Sequence, residues 1–100
     1  MTVMNVVHAR VKPGKVDEFV ALEREYEFDA TAGCSNMWLV RSGERDFIFV
    51  GEWDSMEALT AARPAMIESL DRMRPLLEDL GGGRGVTEPW SGEVALHFGG

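Results

Sequence analysis

Apolar residues recur along this chain with a period that switches between two and about four. Val3 to Val11 sets Val3, Asn5, Val7, Ala9 and Val11 on one side of an extended segment, and Met4, Val6, His8 and Arg10 on the other. Lys12-Pro13-Gly14-Lys15 is a turn signal. From Val16 to about Ala30 the period lengthens, with Val16, Phe19, Val20 and Tyr26 at helical spacing opposite Asp17, Glu18, Glu25 and Asp29. The acids of the first turn suit the helix dipole, and Gly33 is a natural stop. Ser35 to Ser42 alternates again, Met37 and Leu39 against Trp38 and Val40. Gly43-Glu44-Arg45-Asp46 then makes a hairpin connection.

The next strand carries Phe47, Phe49, Gly51 and Trp53 on one face and Ile48, Val50 and Glu52 on the other. Both faces are largely apolar, which predicts a central strand covered on both sides. Asp54 is the expected N-cap of a second helix, with Glu57 where a capping box puts its acid. Gly51, lacking a side chain, leaves room beside Phe49 and Trp53 for a neighbouring backbone or a ligand. The second helix carries Met56 and Leu59 and is expected to break or kink near Pro64. Met66, Leu70, Met73, Leu77 and Leu80 then mark an apolar stripe, ended by Gly81-Gly82-Gly83-Arg84-Gly85. This glycine run reads as a connector; as an anion cradle it lacks the helix that phosphate loops feed into. Val86 to Glu88 is a further strand, Pro89 and Trp90 punctuate, and Gly92 to Phe98 alternates once more.

The order strand, helix, strand, strand, helix, strand predicts an α+β fold: a ferredoxin-like βαββαβ unit with a four-stranded antiparallel sheet and both helices on one face. One domain spans residues 1–100. Met4, Val6, Trp38, Val40, Ile48 and Val50 leave the other face apolar. Burying even ~500 Å² of it at roughly 25 cal/mol per Å² is worth ~12 kcal/mol before the costs of association. A homodimer packed sheet to sheet is therefore expected, with the tail, residues 89–100, exchanged with the partner subunit.

Charge narrows the partners. The net charge of −7 and the lack of a basic stripe argue against nucleic acid and anionic membrane. Cys34 is the single cysteine, so no internal disulfide forms. With no signal pattern and no apolar run of membrane-spanning length, the expected location is the cytoplasm. There is no C-x-x-C, H-E-x-x-H, G-x-S-x-G or Walker loop, and the two histidines lie far apart, so no metal site and no cofactor are expected.

Candidate chemistry centres on Trp53. A large ring beside Phe49 and above Gly51 makes a flat apolar wall for a planar aromatic ligand, although core packing accounts for the same residues. Met37, Met56, Met66 and Met73 would make such a pocket adaptable. His8 is a candidate general base for a phenol or hydroquinone; its alternative is a hydrogen-bonded interior or interface histidine. Arg10, Tyr26 and Arg72 complete the set of donors and bases, while Cys34 reads as a small buried residue.

Three segments carry a family likeness: Val11-Lys12-Pro13-Gly14-Lys15 entering a helix, Gly33-Cys34 opening a strand, and Gly51-Glu52-Trp53-Asp54-Ser55 before the second helix. Together they resemble the antibiotic biosynthesis monooxygenase (ABM) family of dimeric α+β barrels, over residues 3 to about 90. The resemblance implies a cofactor-independent monooxygenase acting on a small aromatic or quinone-like compound. Trp53 matches the pocket Trp of the polyketide oxygenases. Their Asn falls on Phe49, their Tyr near Leu59 and their later Arg near Leu70, with Arg72 the closest basic residue. The expected site is thus His8 and Arg72 as catalytic groups, with Trp53, Phe49, Asn5, Leu59 and Met73 binding substrate. Haem-degrading relatives place an Asn where Val7 stands, and a Trp and a His about where Ala61 and Asp71 stand, so that third reading lacks its residues. The same match implies that Val7 lies on the pocket side, so that Asn5 faces the pocket and orients a substrate oxygen while His8 points at the partner sheet. The alternative outside enzymology is a non-catalytic dimeric barrel that binds a small hydrophobic ligand or partner.

Overall fold

Val3–Val11 forms strand β1, the axis of the sheet in the computed structural model, which describes residues 2–29 and 32–99. Helix α1 (Val16–Arg24), strands β2 (Cys34–Arg41) and β3 (Asp46–Trp53), helix α2 (Met56–Met73), and strands β4 (Leu77–Glu78) and β5 (Thr87–Glu93) follow. The fold is the expected α+β ferredoxin-like one, with an antiparallel sheet ordered β2-β3-β1-β4. Its fourth place is filled by two strands end to end: β4 pairs with Arg10 and Val11, and β5 with Val3 to Ala9 along the same edge.

Residues directly opposite in an antiparallel pair point the same way. The register therefore sets Val3, Asn5, Val7, Ala9 and Val11 on one face with Phe47, Phe49, Gly51 and Trp53 of β3 and Met37 and Leu39 of β2. Helices cover this face in two packed ends. At one, Ala9, Val11 and Phe47 bury with Phe19 of α1 and with Met73, Leu76 and Leu77. At the other, Val3, Cys34 and Trp53 bury with Leu59 of α2. The rows Asn5–Gly51–Met37 and Val7–Phe49–Leu39 lie between them, with Phe49 partly buried against the first cluster and Met37 against the second. That gap holds the site.

The opposite face carries Met4, Val6, Ile48, Val50, Trp38, Val40 and Trp90. Trp38, Val40 and Trp90 are 47, 44 and 54 % exposed, so the second face is as apolar as expected and open.

Several element ends differ from the sequence reading. Helix α1 stops at Arg24, where Glu25 N–H and Tyr26 N–H bond back to Leu22 and Glu23; Glu25 to Asp29 are not helical, and the expected end at Ala30 lies outside the described residues. Ser55, not Asp54, caps α2. Its Oγ accepts from Ala58 N–H at 3.1 Å, while Asp54 N–H is spent on the Gly33 carbonyl. Pro64 sits inside one continuous 18-residue helix. Both Pro64 and Thr60 are exposed, so the Thr60 carbonyl that loses its i+4 donor meets water. Pro75 lies in a 3-10 turn, Arg74–Leu76, so Leu77 and Leu80 of the apolar stripe leave the helix and Leu77 joins the sheet. Strand β5 runs through Pro89 and Trp90, which an edge strand tolerates, and ends at Glu93. Beyond one bond from Val94 N–H to the Thr2 carbonyl, the tail is not a strand, and Leu96 and Phe98 are 71 and 84 % exposed. No helix among the described residues is long and apolar enough to cross a membrane.

Candidate functional site

A cavity of about 480 Å³ fills the gap between the packed ends. Its floor is sheet (Asn5, Val7, Phe49, Gly51) and its walls come from both helices, including Phe19, Leu59, Met66 and Met73. The Pro13-Gly14 turn folds α1 back over β1, and the short β3-to-α2 step folds α2 over the other end. Each helix is pinned by one fully buried side chain, Phe19 and Leu59 respectively. Between those anchors neither helix supplies enough bulk to close the space.

At the floor, Trp53 Nε1–H donates to Asn5 Oδ1 at 2.8 Å in a buried contact. The bond passes directly over Gly51. A Cβ built there would collide with Asn5 Oδ1 and lie 2.7 Å from Trp53 Nε1. The room that Gly51 leaves is thus occupied by this side-chain pair, rather than by a backbone or a ligand. The indole is a donor only, so it fixes which end of the Asn5 amide is the oxygen. The NH₂ end is then left without a partner among the described residues, on a residue that lines the cavity. An oriented, nearly buried donor of this kind can steady negative charge on a ligand oxygen.

Two charged side chains line the hollow, Glu23 of α1 and Arg63 of α2. Burial alone lifts the Glu23 carboxyl from 4.5 to about 7. Tyr26, just past the end of α1, also lines the cavity, and its hydroxyl is pushed up first by burial and then by the nearby charges of Cys34 and Glu23. A second, smaller cavity of about 260 Å³ lies beside the first and shares Glu23, Tyr26, Met37 and Phe49 with it.

Of the residues singled out from sequence, Asn5, Phe49, Leu59 and Met73 border the larger cavity. Trp53 is 3 % exposed and reaches the site through its bond to Asn5. His8 lies on the other face of the sheet. Its Nε2 is 2.9 Å from Asp46 Oδ1, which also accepts from Arg10 Nε at 3.0 Å. These contacts, the His8 hydrogen bond foremost, hold the Asp46 carboxyl below its usual range. Arg72 is exposed and does not border the cavity. Cys34 is buried, with its Sγ donating to the Asn36 carbonyl at 3.2 Å, and burial pushes the thiol up. The glycine run is a connector: Leu80 N–H bonds to the Gly85 carbonyl, and Arg84 is held by the Leu80 and Gly81 carbonyls and by Glu88. No group of three metal-binding side chains occurs among the described residues.

Sequence reasoning passed over Glu23 and Arg63. Glu23 had a signal: it stands four residues after Phe19 and three after Val20, on the apolar stripe of its helix. Arg63 had none beyond its place on the turn after Leu59.

A ferredoxin-like sheet with a lined hollow beneath its helices is the frame of a known class. The antibiotic biosynthesis monooxygenase family model matches residues 2–65, more than half of the chain, and the chain belongs to that family. Among solved structures, a dimeric ferredoxin-like protein from an uncultured marine organism is similar at TM-score 0.74 and 13 % identity, over 97 % of this chain and 90 % of that one. SnoaB, a cofactor-independent oxygenase from Streptomyces nogalater, is similar at TM-score 0.70 and 16 % identity, over 96 % and 95 %. A point mutant of MhuD, with two manganese protoporphyrin IX bound per active site, is similar at TM-score 0.65 and 21 % identity, over 98 % and 99 %. No curated protein matches the chain.

Proposed function

We propose that this protein is a cofactor-independent monooxygenase that oxidises a small phenolic aromatic or hydroquinone-like compound in the larger cavity. The observation that carries the reading is the Asn5–Trp53 pair, an amide locked by an indole so that its free NH₂ serves an otherwise apolar hollow. A polycyclic phenol, once deprotonated, can supply its own electrons to oxygen. The protein then has to hold the ring, steady the phenolate and keep water away. Phe49, Leu59, Met66 and Met73 suit the ring, and Asn5 suits the oxygen. The similarity to SnoaB is in keeping with this chemistry.

Haem fits less well. An axial ligand is needed, and the histidine candidates are His8 on the far face and His97 on the exposed tail. Neither borders the cavity.

The working form in this proposal is a homodimer joined through the open face of the sheet. The likeness to a ferredoxin-like protein that is itself dimeric is in keeping with that assembly. Residues 87–93 pair with their own β1, so exchange with a partner would fall to the residues after Glu93, where Leu96 and Phe98 stand uncovered.

Oxygen uptake with a panel of anthrones and hydroquinones tests the chemistry. Wild type is expected to exceed the buffer rate, and Trp53→Phe and Asn5→Ala to fall by roughly 10²-fold, the usual effect of losing one oriented donor. Rates equal to buffer throughout would leave a non-catalytic barrel that binds a small hydrophobic ligand.

A further inference from the structure

Glu23 stands where the two cavities meet, lining both of them. Its carboxylate occupies the apolar stripe of α1 and makes no hydrogen bond or ion pair among the described residues. The ionisable groups around it are few. The end of α1 brings Arg24 to the smaller cavity, the segment after it brings Tyr26 to both, and α2 brings Arg63 to the larger. The strands bring none to either lining among the described residues; Cys34 of β2 acts only at a distance, on Tyr26. A half-buried acid with no internal partner, in contact with a ligand-sized hollow, costs stability that a packed apolar residue would not. A role toward the ligand accounts for it.

We propose that Glu23 is the base that takes the hydroxyl proton of a phenolic ligand in the larger cavity and passes it to water through the smaller one. The O–H bond of the phenol breaks, an O–H bond forms on the carboxylate, and the electron pair stays on the phenolate oxygen beside the Asn5 amide. The neutral carboxylic acid then loses its proton to water in the second cavity and is ready again. Burial has already brought the carboxyl to about 7, close to the working pH of such a base. The purpose of the step rests on the oxygenase reading, but the contact itself does not.

The probe is a dihydroxyanthraquinone, a phenol that cannot react further, titrated by absorbance between pH 5 and 9 against the full chain, with dithranol as the reactive counterpart. Glu23→Gln and Glu23→Asp are compared with wild type, and Glu27→Gln, on an exposed position nearby, is the control. Binding of the anthraquinone to wild type is expected to tighten with an apparent pKa near the Glu23 value of about 7. Glu23→Gln should lose that step and Glu23→Asp should keep part of it. In dithranol oxidation, Glu23→Gln should lower the rate by roughly 10²-fold at neutral pH and abolish the same limb of the profile. A pH step in binding that depends on Glu23, with no oxygen consumed, supports the base and ends the oxygenase reading. Oxygen consumption with the same pH profile in wild type and Glu23→Gln ends the proposal and keeps the oxygenase. Binding without any pH step in wild type also overturns it.

Discussion

Gly51 carries more of the site than its size suggests. The Asn5–Trp53 bond runs through the space a side chain would fill, so Gly51→Ala must displace the indole, the amide or the strand. Overpacking together with the loss of a buried bond is expected to cost about 2–4 kcal/mol, measured by urea unfolding. Glu23 is opposite in sign. Its folded pKa, about 7 against 4.5 for the free group, means that the folded chain binds the extra proton between those values. Stability from this group is therefore complete below the unfolded pKa and is lost as pH rises through 7. After allowance for partial exposure, Glu23→Gln should stabilise the ligand-free protein by roughly 1–2 kcal/mol at pH 8 and by almost nothing at pH 4. Thermal melts at the two pH values read this directly; equal shifts at both would mean the carboxyl is not desolvated. Asp46 works the other way, since its contribution is present above the usual carboxylate range and fades in acid as its depressed pKa is crossed.

At the level of elements, the strands were legible because strands apolar on both faces read as near-continuous runs of branched and aromatic residues between turn signals, and the register of β1 and β3 then follows their parity. The helix ends were not, because they are decided by which backbone groups find partners elsewhere. Asp54 is as good a cap as Ser55 in isolation, but Ser55 Oγ takes the Ala58 N–H, and the Asp54 N–H that a capping box with Glu57 would use is bonded to the Gly33 carbonyl. Tyr26 continues the helical spacing of α1, yet α1 ends first, and Tyr26 and Phe28 turn to the rim of the smaller cavity instead. The wall of the site followed from the same periodicity: Asn5 and Phe49 share a face by parity, and Leu59 and Met73 lie on the helix that covers it. Its charged members did not, because a lone acid on an apolar stripe looks like an interruption until the hollow beside it is visible. His8 shows the converse. Its chemistry draws attention, while its even position already assigns it to the other face.

For the whole molecule, the open sheet face sets the expected state of assembly. Trp38, Val40 and Trp90 are half-exposed across strands that also present Met4, Val6, Ile48 and Val50. A face of this kind is unusual on a monomer and suits a second copy related by a two-fold axis. Light scattering after size exclusion is expected to give twice the mass of 11.1 kDa at micromolar concentration. Val50→Glu, a charge at the centre of the face, should return the monomer without unfolding it. A monomeric wild type would refute the assembly while leaving the cavity under the helices as it stands.

The sheet also has a rim that neither the helices nor such a pairing would protect. Strand β2 is hydrogen-bonded along β3 only, so no strand among the described residues satisfies its outer backbone. Trp38, Leu39 and Val40 stand in succession on it; the pairing would cover the Trp38 and Val40 side chains, but neither the strand's outer backbone nor Leu39 on the other face. A border this apolar, with Arg41 at its end as the one charge of β2, templates further strands. In concentrated solution the hazard to this protein is therefore ribbon-like self-association from that margin, rather than simple dissociation. A lysine placed at Leu39 would act as a gatekeeper there.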